Sequence, residues 1–217
     1  GNPNSGKTTV FNALTGSRQH VGNWPGVTVE KKEGFCTHES RRINVVDLPG
    51  VYSLTAYSLD EVVARDFVVN EHPDVVVDVV DASNLERNLY LTVQLMEMQA
   101  PLVIALNMMD VARNRGYKID IEKLAQLTGS PAVPLVASKG QGVKELLATV
   151  VAVADGRLAS VPHTVHYGQD IEDEVRKLEY IIAGDSRYTG YAPRWLAVKL
   201  LEEDKDVVRK VREAEHA

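Results

Sequence analysis

Apolar and polar positions along the chain follow two alternating periodicities. Short apolar runs rich in β-branched residues predict buried strands at Val75–Val80, Pro101–Leu106 and Val133–Val136. Elsewhere apolar residues recur every three or four positions, which predicts helices at Lys7–Thr15, Leu59–Val69, Leu85–Met98, Ile121–Leu127 and Val143–Val153. This alternation indicates an α/β fold with a doubly wound, mostly parallel sheet, in which ligands bind at the carboxyl ends of the strands.

The segment after the first predicted helix has a different pattern. Its glycine and proline residues predict a loop over His20–Thr28. Two strands are predicted next, at Val29–His38 and Arg42–Asp47. The turn residues Glu39 and Ser40 between them predict an antiparallel hairpin.

No strand is predicted beyond residue 158. Residues Ala159–Tyr167 have the composition of a linker, and apolar residues at helical spacing follow it. This tail is too short to enclose a large core of its own. We therefore expect a main domain over residues 1–158 and a small helical subdomain over residues 159–217 that packs on it.

Composition and charge exclude several classes of protein. The net charge of −6 argues against a nucleic-acid-binding surface, which needs a basic stripe. The one cysteine, Cys36, cannot form an internal disulfide, which fits a reducing cytosolic compartment. No apolar run reaches the roughly 18–20 residues that cross a bilayer, so we expect this chain to be soluble.

The first eight residues match the phosphate-loop pattern G-x-x-x-x-G-K-[ST]. Successive backbone N–H groups of such a loop and the start of the following helix bind phosphate oxygens. Lys7 would lie between the β- and γ-phosphates, and the Thr8 hydroxyl is suited to Mg²⁺. The predicted nucleotide contacts of this segment are Gly1, Asn2, Pro3, Asn4, Ser5, Gly6, Lys7, Thr8 and Thr9. Because such a loop normally follows a buried strand, we expect a first strand upstream of Gly1.

Three further motifs follow predicted strands. Asp47 and Gly50 delimit a D-x-x-G sequence, in which the carboxylate would hold Mg²⁺ through a water and the Gly50 N–H would meet the γ-phosphate. Asn107 and Asp110 delimit an N-x-x-D sequence. Its carboxylate can accept two hydrogen bonds from guanine, whereas adenine lacks that pair of donors.

The guanine motif departs from the usual N-K-x-D because Met108 replaces the lysine whose stem covers the base. An unbranched thioether can cover the same face without charge. Asn107 would tie this loop to the phosphate loop. The fourth motif, Val136-Ala137-Ser138-Lys139, would place the backbone N–H of Ala137 or Ser138 at the guanine carbonyl.

Several segments together resemble the N-terminal cytoplasmic domain of the FeoB ferrous-iron transporter family. They are GNPNSGKTTVFNALTG, VGNWPGVTVEKKEG, VVDLPGVYSL, VDASNLERNLYLTVQL and ALNMMD, and VGNWPGVTVE is the most specific of them. The tail sequence YAPRWLA is similar to the helical spacer of that family. The resemblance implies a GTP-binding G domain over residues 1–158, a helical spacer over 159–217, and an iron permease in the same polypeptide.

Further roles are implied by the resemblance alone. Thr28 matches a switch threonine that closes onto Mg²⁺ and the γ-phosphate. Asn4 matches an asparagine that helps to hold K⁺ in potassium-activated GTPases, with backbone carbonyls near Gly22 and Trp24 completing that site. K⁺ there would neutralise charge that develops during hydrolysis. The residues assigned to catalysis are Lys7, Asn4, Thr28 and Gly50, and Thr8, Thr28 and Asp47 would hold Mg²⁺.

The residue after Gly50 is Val51, which cannot orient an attacking water, and this predicts slow hydrolysis. The resulting hypothesis is a slow GTPase at the cytoplasmic face of the inner membrane that regulates iron transport. A soluble potassium-activated GTPase of the ribosome- or tRNA-modification type is an alternative, against which the acidic charge weighs. A third hypothesis is an ATPase, and the predicted recognition of guanine by Asp110 distinguishes a GTPase from it. The sequence does not determine the oligomeric state, and a homo-oligomer is one of the possible states.

Overall fold

The computed structural model of the protein describes residues 1–16 and 19–215, so the last two residues of the predicted tail lie outside the described residues. The strands are β1 (Gln19–Asn23), β2 (Glu30–His38), β3 (Arg41–Asp47), β4 (Val76–Asp81), β5 (Leu102–Asn107) and β6 (Ala132–Pro134). The helices are α1 (Lys7–Thr15), α2 (Leu59–Glu71), α3 (Leu85–Glu97), α4 (Met109–Asn114), α5 (Ile121–Thr128), α6 (Val143–Ala154), α7 (Gln169–Ala183), α8 (Pro193–Leu201) and α9 (Lys205–Glu215).

The described strands form two sheets of three rather than one continuous sheet. Strands β1, β2 and β3 pair antiparallel in that order, and β4, β5 and β6 pair parallel. Residues of β3 and β4 line a common cleft of about 660 Å³. The predicted hairpin is confirmed, since Glu39 and Ser40 both adopt positive φ between β2 and β3.

The parallel sheet is covered by helices on both faces, as the apolar runs predicted. All six residues of β5 are buried. Val103 and Ala105 pack into one core with Val10 of α1 and Leu146 of α6. The alternate residues of β5 face a second core, which includes α3. This two-sided burial is the doubly wound arrangement, and it places the carboxyl ends of β4 and β5 side by side.

The helical tail shares a core with the main domain, as predicted. Val175, Trp195 and Val207, from α7, α8 and α9, belong to the same cluster as Leu91 of α3. The predicted linker is bound to the main domain rather than loose. The Ser160 hydroxyl accepts from Leu102 N–H at 2.9 Å and donates to Leu102 O at 2.7 Å.

The structure differs from the predicted elements at two places. The first half of the predicted loop His20–Thr28 belongs to β1, which pairs with β2 although its residues are mostly exposed and therefore show no apolar pattern. The short helix α4 was not predicted because six residues are too few to show a helical periodicity. Over the described ranges, none of the helices combines the length and apolar character needed to span a membrane.

Candidate nucleotide site

The phosphate loop ends in a glycine that starts α1. Gly6 has φ +86° and precedes Lys7, and Asn4 also adopts a left-handed conformation with φ +65°. The N–H of Ser5 donates to Asn2 O at 3.2 Å and turns the loop back on itself. Successive N–H groups in such a turn, followed by a helix N-terminus, form an anion-binding concavity.

Two buried polar atoms of this loop have no partner within the described parts of the chain. They are Asn2 Oδ1 and Ser5 Oγ, and the side chains of both residues are almost fully buried. The amide nitrogen of Asn2 donates to the carbonyl of Arg87 at 3.4 Å, which ties the loop to the start of α3. Buried polar atoms without partners are rare in proteins, and they are consistent with a polar ligand at this loop.

The Asp47–Gly50 segment lies against the phosphate loop. Val51 N–H donates to Gly1 O at 3.3 Å, and a Cβ placed on Gly50 would lie 3.4 Å from Pro3 Cα. Lys7 Nζ forms a short ion pair with Asp47 Oδ1. The structure therefore brings together the cation predicted to bind phosphates and the carboxylate predicted to bind Mg²⁺.

Asn107 connects three of the four motifs. Its Nδ2 donates to Ser5 O at 2.9 Å, and its Oδ1 accepts from Ala137 N–H at 3.0 Å. Asn107 is 4% exposed, so both bonds are shielded from water. The predicted link between the Asn107–Asp110 loop and the phosphate loop is confirmed, and the fourth motif is joined to the same side chain.

Asp110 forms an ion pair that the sequence analysis did not assign. Lys139 Nζ lies 2.9 Å from Asp110 Oδ2, and the other carboxylate oxygen accepts from Val111 N–H at 3.0 Å. The Lys139 hydrogen bond keeps the pKa of Asp110 below its usual range. Lys139 belongs to the quoted fourth motif, but only the fold reveals that it reaches Asp110, 29 residues away.

Two of the predicted K⁺ ligands, Gly22 and Trp24, lie in and directly after β1, and Thr28 follows them, whereas the third, Asn4, lies in the phosphate loop. Gly22 is part of β1, and Thr28 is exposed in the turn before β2. The Trp24 ring packs edge-on against Phe67 of α2, with 5.4 Å between ring centroids. The assignment of Gly22, Trp24 and Thr28 to metal sites stays a prediction.

Comparison with known proteins identifies two regions of the chain. Residues 1–150 match the family described as Ferrous iron transport protein B, and residues 167–217 match the FeoB cytosolic helical domain. The chain is 46% identical over 216 residues to an Fe(2+) transport protein A/Fe(2+) transporter FeoB fusion protein of Porphyromonas gingivalis, covering 98% of the chain and 26% of that protein. It is 45% identical over 208 residues to the Fe(2+) transporter FeoB of Escherichia coli K12, covering 94% of the chain and 26% of the transporter.

The chain thus spans about a quarter of the length of these relatives. Among solved structures, the cytosolic domain of the T. maritima FeoB iron transporter in its GMPPNP form superposes with a TM-score of 0.91 at 38% identity, covering 98% of this chain and 83% of that one. The cytosolic domain of L. pneumophila FeoB superposes with a TM-score of 0.90 at 40% identity, covering 99% and 84%. These matches, which cover both the main domain and the helical tail, show that this chain belongs to the FeoB family.

Proposed function

We propose that this chain binds GTP with Mg²⁺ and hydrolyses it slowly, as the regulatory domain of a ferrous-iron membrane transporter. The observation that carries the proposal is the convergence of four nucleotide-binding motifs on one edge of the molecule, three of them joined by Asn107. The FeoB cytosolic domain of T. maritima, with the same fold, has been solved in GMPPNP and GDP forms.

The phosphate half of the proposal rests on the loop geometry. Free backbone N–H groups of the phosphate loop and the positive end of α1 would bind the α- and β-phosphates, and Lys7 would bind the β- and γ-phosphates. Thr8 and Asp47 are the hard oxygen ligands that Mg²⁺ prefers, and Asp47 already lies against Lys7. Mg²⁺ would supply charge neutralisation at the phosphates. Thr28 and Gly50 would contact the γ-phosphate once GTP orders the segments His20–Thr28 and Val51–Asp60.

The proposed recognition of the guanine base depends on Asp110. Its carboxylate would accept from the guanine ring N–H and the exocyclic amine, while Met108 covers the base. The N–H of Ala137 is committed to Asn107, so Ser138 is the better donor to the guanine carbonyl. An adenine nucleotide would not offer Asp110 the pair of donors that guanine presents, which disfavours the ATPase alternative.

The slow rate of hydrolysis is proposed from Val51, and K⁺ is proposed to assist the reaction. Val51 is 5% exposed and has no polar group with which to orient a water. Asn4 is exposed in the phosphate loop and would provide one oxygen ligand to K⁺, with carbonyls near Gly22 and Trp24 completing the site. The cation would stabilise charge that develops between the β- and γ-phosphates.

The partner of this domain is proposed to be a membrane permease in the same polypeptide, at the cytoplasmic face of the membrane. The relatives named transporters are about four times longer than this chain, which leaves room for such a region. The match to the FeoB family over both regions of the chain favours this function over a soluble GTPase of the ribosome- or tRNA-modification type.

Substitution Asp110→Asn tests base recognition. We expect its GDP and GTP affinities to fall at least about 100-fold and its affinity for xanthosine diphosphate to rise, because xanthine presents an acceptor where guanine has its amine. Asp120→Asn is the matched control, since it changes a carboxylate that caps α5 and asparagine caps helices equally well. Unchanged GTP affinity in Asp110→Asn contradicts the proposed base recognition.

The K⁺ proposal is tested by measuring GTP hydrolysis in KCl and in NaCl at equal ionic strength. We expect at least a tenfold faster rate in KCl for the wild type and equal rates in the two salts for Asn4→Ala. The exposed Asn114→Ala, outside the phosphate loop, should retain the wild-type salt preference. Equal wild-type rates in both salts would exclude the K⁺ site while leaving GTP binding in place.

A further inference from the structure

Helix α3 holds the loop after Gly50 through a buried glutamine. Gln94 is only 5% exposed, and Leu91 and Leu95 beside it belong to the apolar core. A long polar side chain is costly to bury unless its polar atoms find partners. Gln94 Oε1 accepts from the backbone N–H of Leu54 at 2.6 Å. The backbone of the loop is therefore bound to α3 four residues after Gly50.

A second contact between α3 and this loop lies at the surface. The guanidinium of Arg87, in the first turn of α3, lies 4.4 Å from the centroid of the Tyr52 ring. Arg87 and Gln94 are about two helical turns apart, so both side chains project from the same side of α3. The carbonyl of Arg87 also accepts from Asn2 Nδ2 at 3.4 Å. Helix α3 thus contacts the phosphate loop and the loop after Gly50 at the same time.

The contacts with α3 adjoin a contact with the phosphate loop. Val51 N–H donates to Gly1 O at 3.3 Å, and the side chains of Val51 and Leu54 are almost fully buried. The backbone after Gly50 is therefore held at three successive places, at Val51 by the phosphate loop and at Tyr52 and Leu54 by α3. We call residues 50–54 the anchored loop.

The position of the anchored loop should affect hydrolysis more than binding. Val51 supplies no polar side chain, so the loop can contribute only backbone groups to the reaction, such as the Gly50 N–H. A donor stabilises a transition state only when it is held in the correct geometry, and a misplacement of about 1 Å can slow a reaction about 100-fold. Binding of GDP depends instead on the phosphate loop and on Asp110.

We propose that Gln94 and Arg87 are positioning residues for GTP hydrolysis, which hold the anchored loop from α3 so that the Gly50 N–H faces the γ-phosphate. The inference rests on the proposed function, because it needs GTP at the phosphate loop. Neither side chain contacts the nucleotide. When GTP orders the segment after Gly50, the two contacts with α3 define the position of its backbone.

Single-turnover GTP hydrolysis and GDP affinity, measured on the same variants, test this role. Gln94→Met keeps the length of the side chain but removes the acceptor of the Leu54 N–H. We expect hydrolysis to be at least about tenfold slower and the GDP affinity to change by less than about threefold. Gln94→Glu keeps an acceptor oxygen, so its rate should return to within about threefold of the wild type.

Tyr52 allows a second test at the surface of the molecule. Tyr52→Leu removes the ring that contacts Arg87, and we expect it to slow hydrolysis by at least about threefold at unchanged GDP affinity. Tyr52→Phe keeps the ring and should hydrolyse GTP at the wild-type rate. Because Tyr52 is 43% exposed, these variants keep the test valid if Gln94→Met does not fold.

The matched control is Thr128→Val in α5. Like Gln94→Met, it removes the side-chain acceptor of a buried backbone N–H, here that of Ser130 at 3.3 Å, and it should leave both measurements unchanged. A wild-type rate in Gln94→Met, or a GDP affinity that falls by the same factor as the rate, would overturn the role of Gln94. Equal rates in Tyr52→Leu and Tyr52→Phe would overturn that of Arg87. A wild-type chain that binds GDP but does not hydrolyse GTP would overturn the proposed function, and the positioning role with it.

Discussion

At the residue scale, the site depends on how closely the Asn107 side chain approaches the phosphate loop. A Cβ built on Gly6 would lie 2.3 Å from Asn107 Nδ2 and 3.7 Å from Met108 Cε. Glycine is therefore needed at this position for two reasons, its φ of +86° and the absence of space for a side chain. The pattern G-K-[ST] contains this glycine. The side chain that leaves no space for a Cβ there, Asn107, lies about a hundred residues away in the sequence.

Gly6→Ala should weaken both the fold and nucleotide binding. We expect a loss of about 2–3 kcal/mol in the free energy of unfolding, from left-handed backbone strain and the displaced Asn107 hydrogen bonds, and at least a tenfold weaker GDP affinity. Urea unfolding and GDP titration measure the two effects.

Gly116→Ala is the control for Gly6→Ala. Gly116 has φ +79° with nothing within 4 Å of a built Cβ, so alanine there should cost only about 1 kcal/mol of backbone strain and leave GDP affinity unchanged. Equal effects of the two substitutions would show that the contact with Asn107 does not matter.

At the element scale, α3 ends in a buried carboxylate that faces the helical tail. Glu97 is 6% exposed, and burial raises its pKa to about 7 against the opposing effects of Lys199 and Arg194, while Glu202 raises it further. Lys199 of α8 is fully buried and donates to Glu202 at 2.7 Å. The packing of α3 on α8 therefore places a carboxyl that titrates near neutral pH between the main domain and the tail.

The raised pKa of Glu97 predicts a pH dependence of stability. Below its ordinary pKa of 4.5 the carboxyl is protonated in both states, and between pH 4.5 and about 7 the folded state holds the proton more tightly. Stability should therefore fall as pH rises through this window. Glu97→Gln should reduce this fall in stability. At pH 8 its free energy of unfolding should exceed that of the wild type by about 1 kcal/mol, with solvent screening taken into account.

Urea unfolding from pH 5 to pH 8 measures the effect of Glu97→Gln. Glu86→Gln is the control, because Glu86 is exposed in the first turn of the same helix. The control should follow the wild-type pH dependence. A wild-type slope that persists in Glu97→Gln would assign the pH dependence to other groups.

At the scale of the whole molecule, the main domain and the helical tail share one core. Buried residues of α2, α3 and β5 form a single cluster with those of α7, α8 and α9. Ion pairs of Arg65 with Asp206 and of Asp66 with Lys210, between α2 and α9, cross the same boundary. A shared core and shared buried charges link the unfolding of the two regions, so neither should unfold alone.

We expect calorimetry of the chain to show one unfolding transition. Leu196→Ala, at a position 1% exposed in α8, should cost about 2–5 kcal/mol and lower the midpoint of that single transition by about 5–15 °C. Leu201→Ala, in the same helix but 42% exposed, should lower it by far less. Two separate transitions, with the tail unfolding first, would contradict a shared core.

Local patterns determined a large part of this protein. The alternation of strands with helices and the order of the four motifs are readable from the sequence, because each depends on residues close together in the chain. Elements without a local signal were missed. Strand β1 is exposed on both faces, so only its pairing with β2 defines it, and α4 is too short to show a periodicity.

The tertiary structure decided which distant side chains meet. Lys139 reaches Asp110, Trp24 packs on Phe67, and Arg65 is buried against Asp206 on a helix 141 residues away. Nothing in the sequence near Arg65 marks it as buried, because its environment is formed by a helix from the opposite end of the chain. The sequence therefore predicts the chemistry of the nucleotide site, whereas the contacts between the main domain and the helical tail are defined only by the folded molecule.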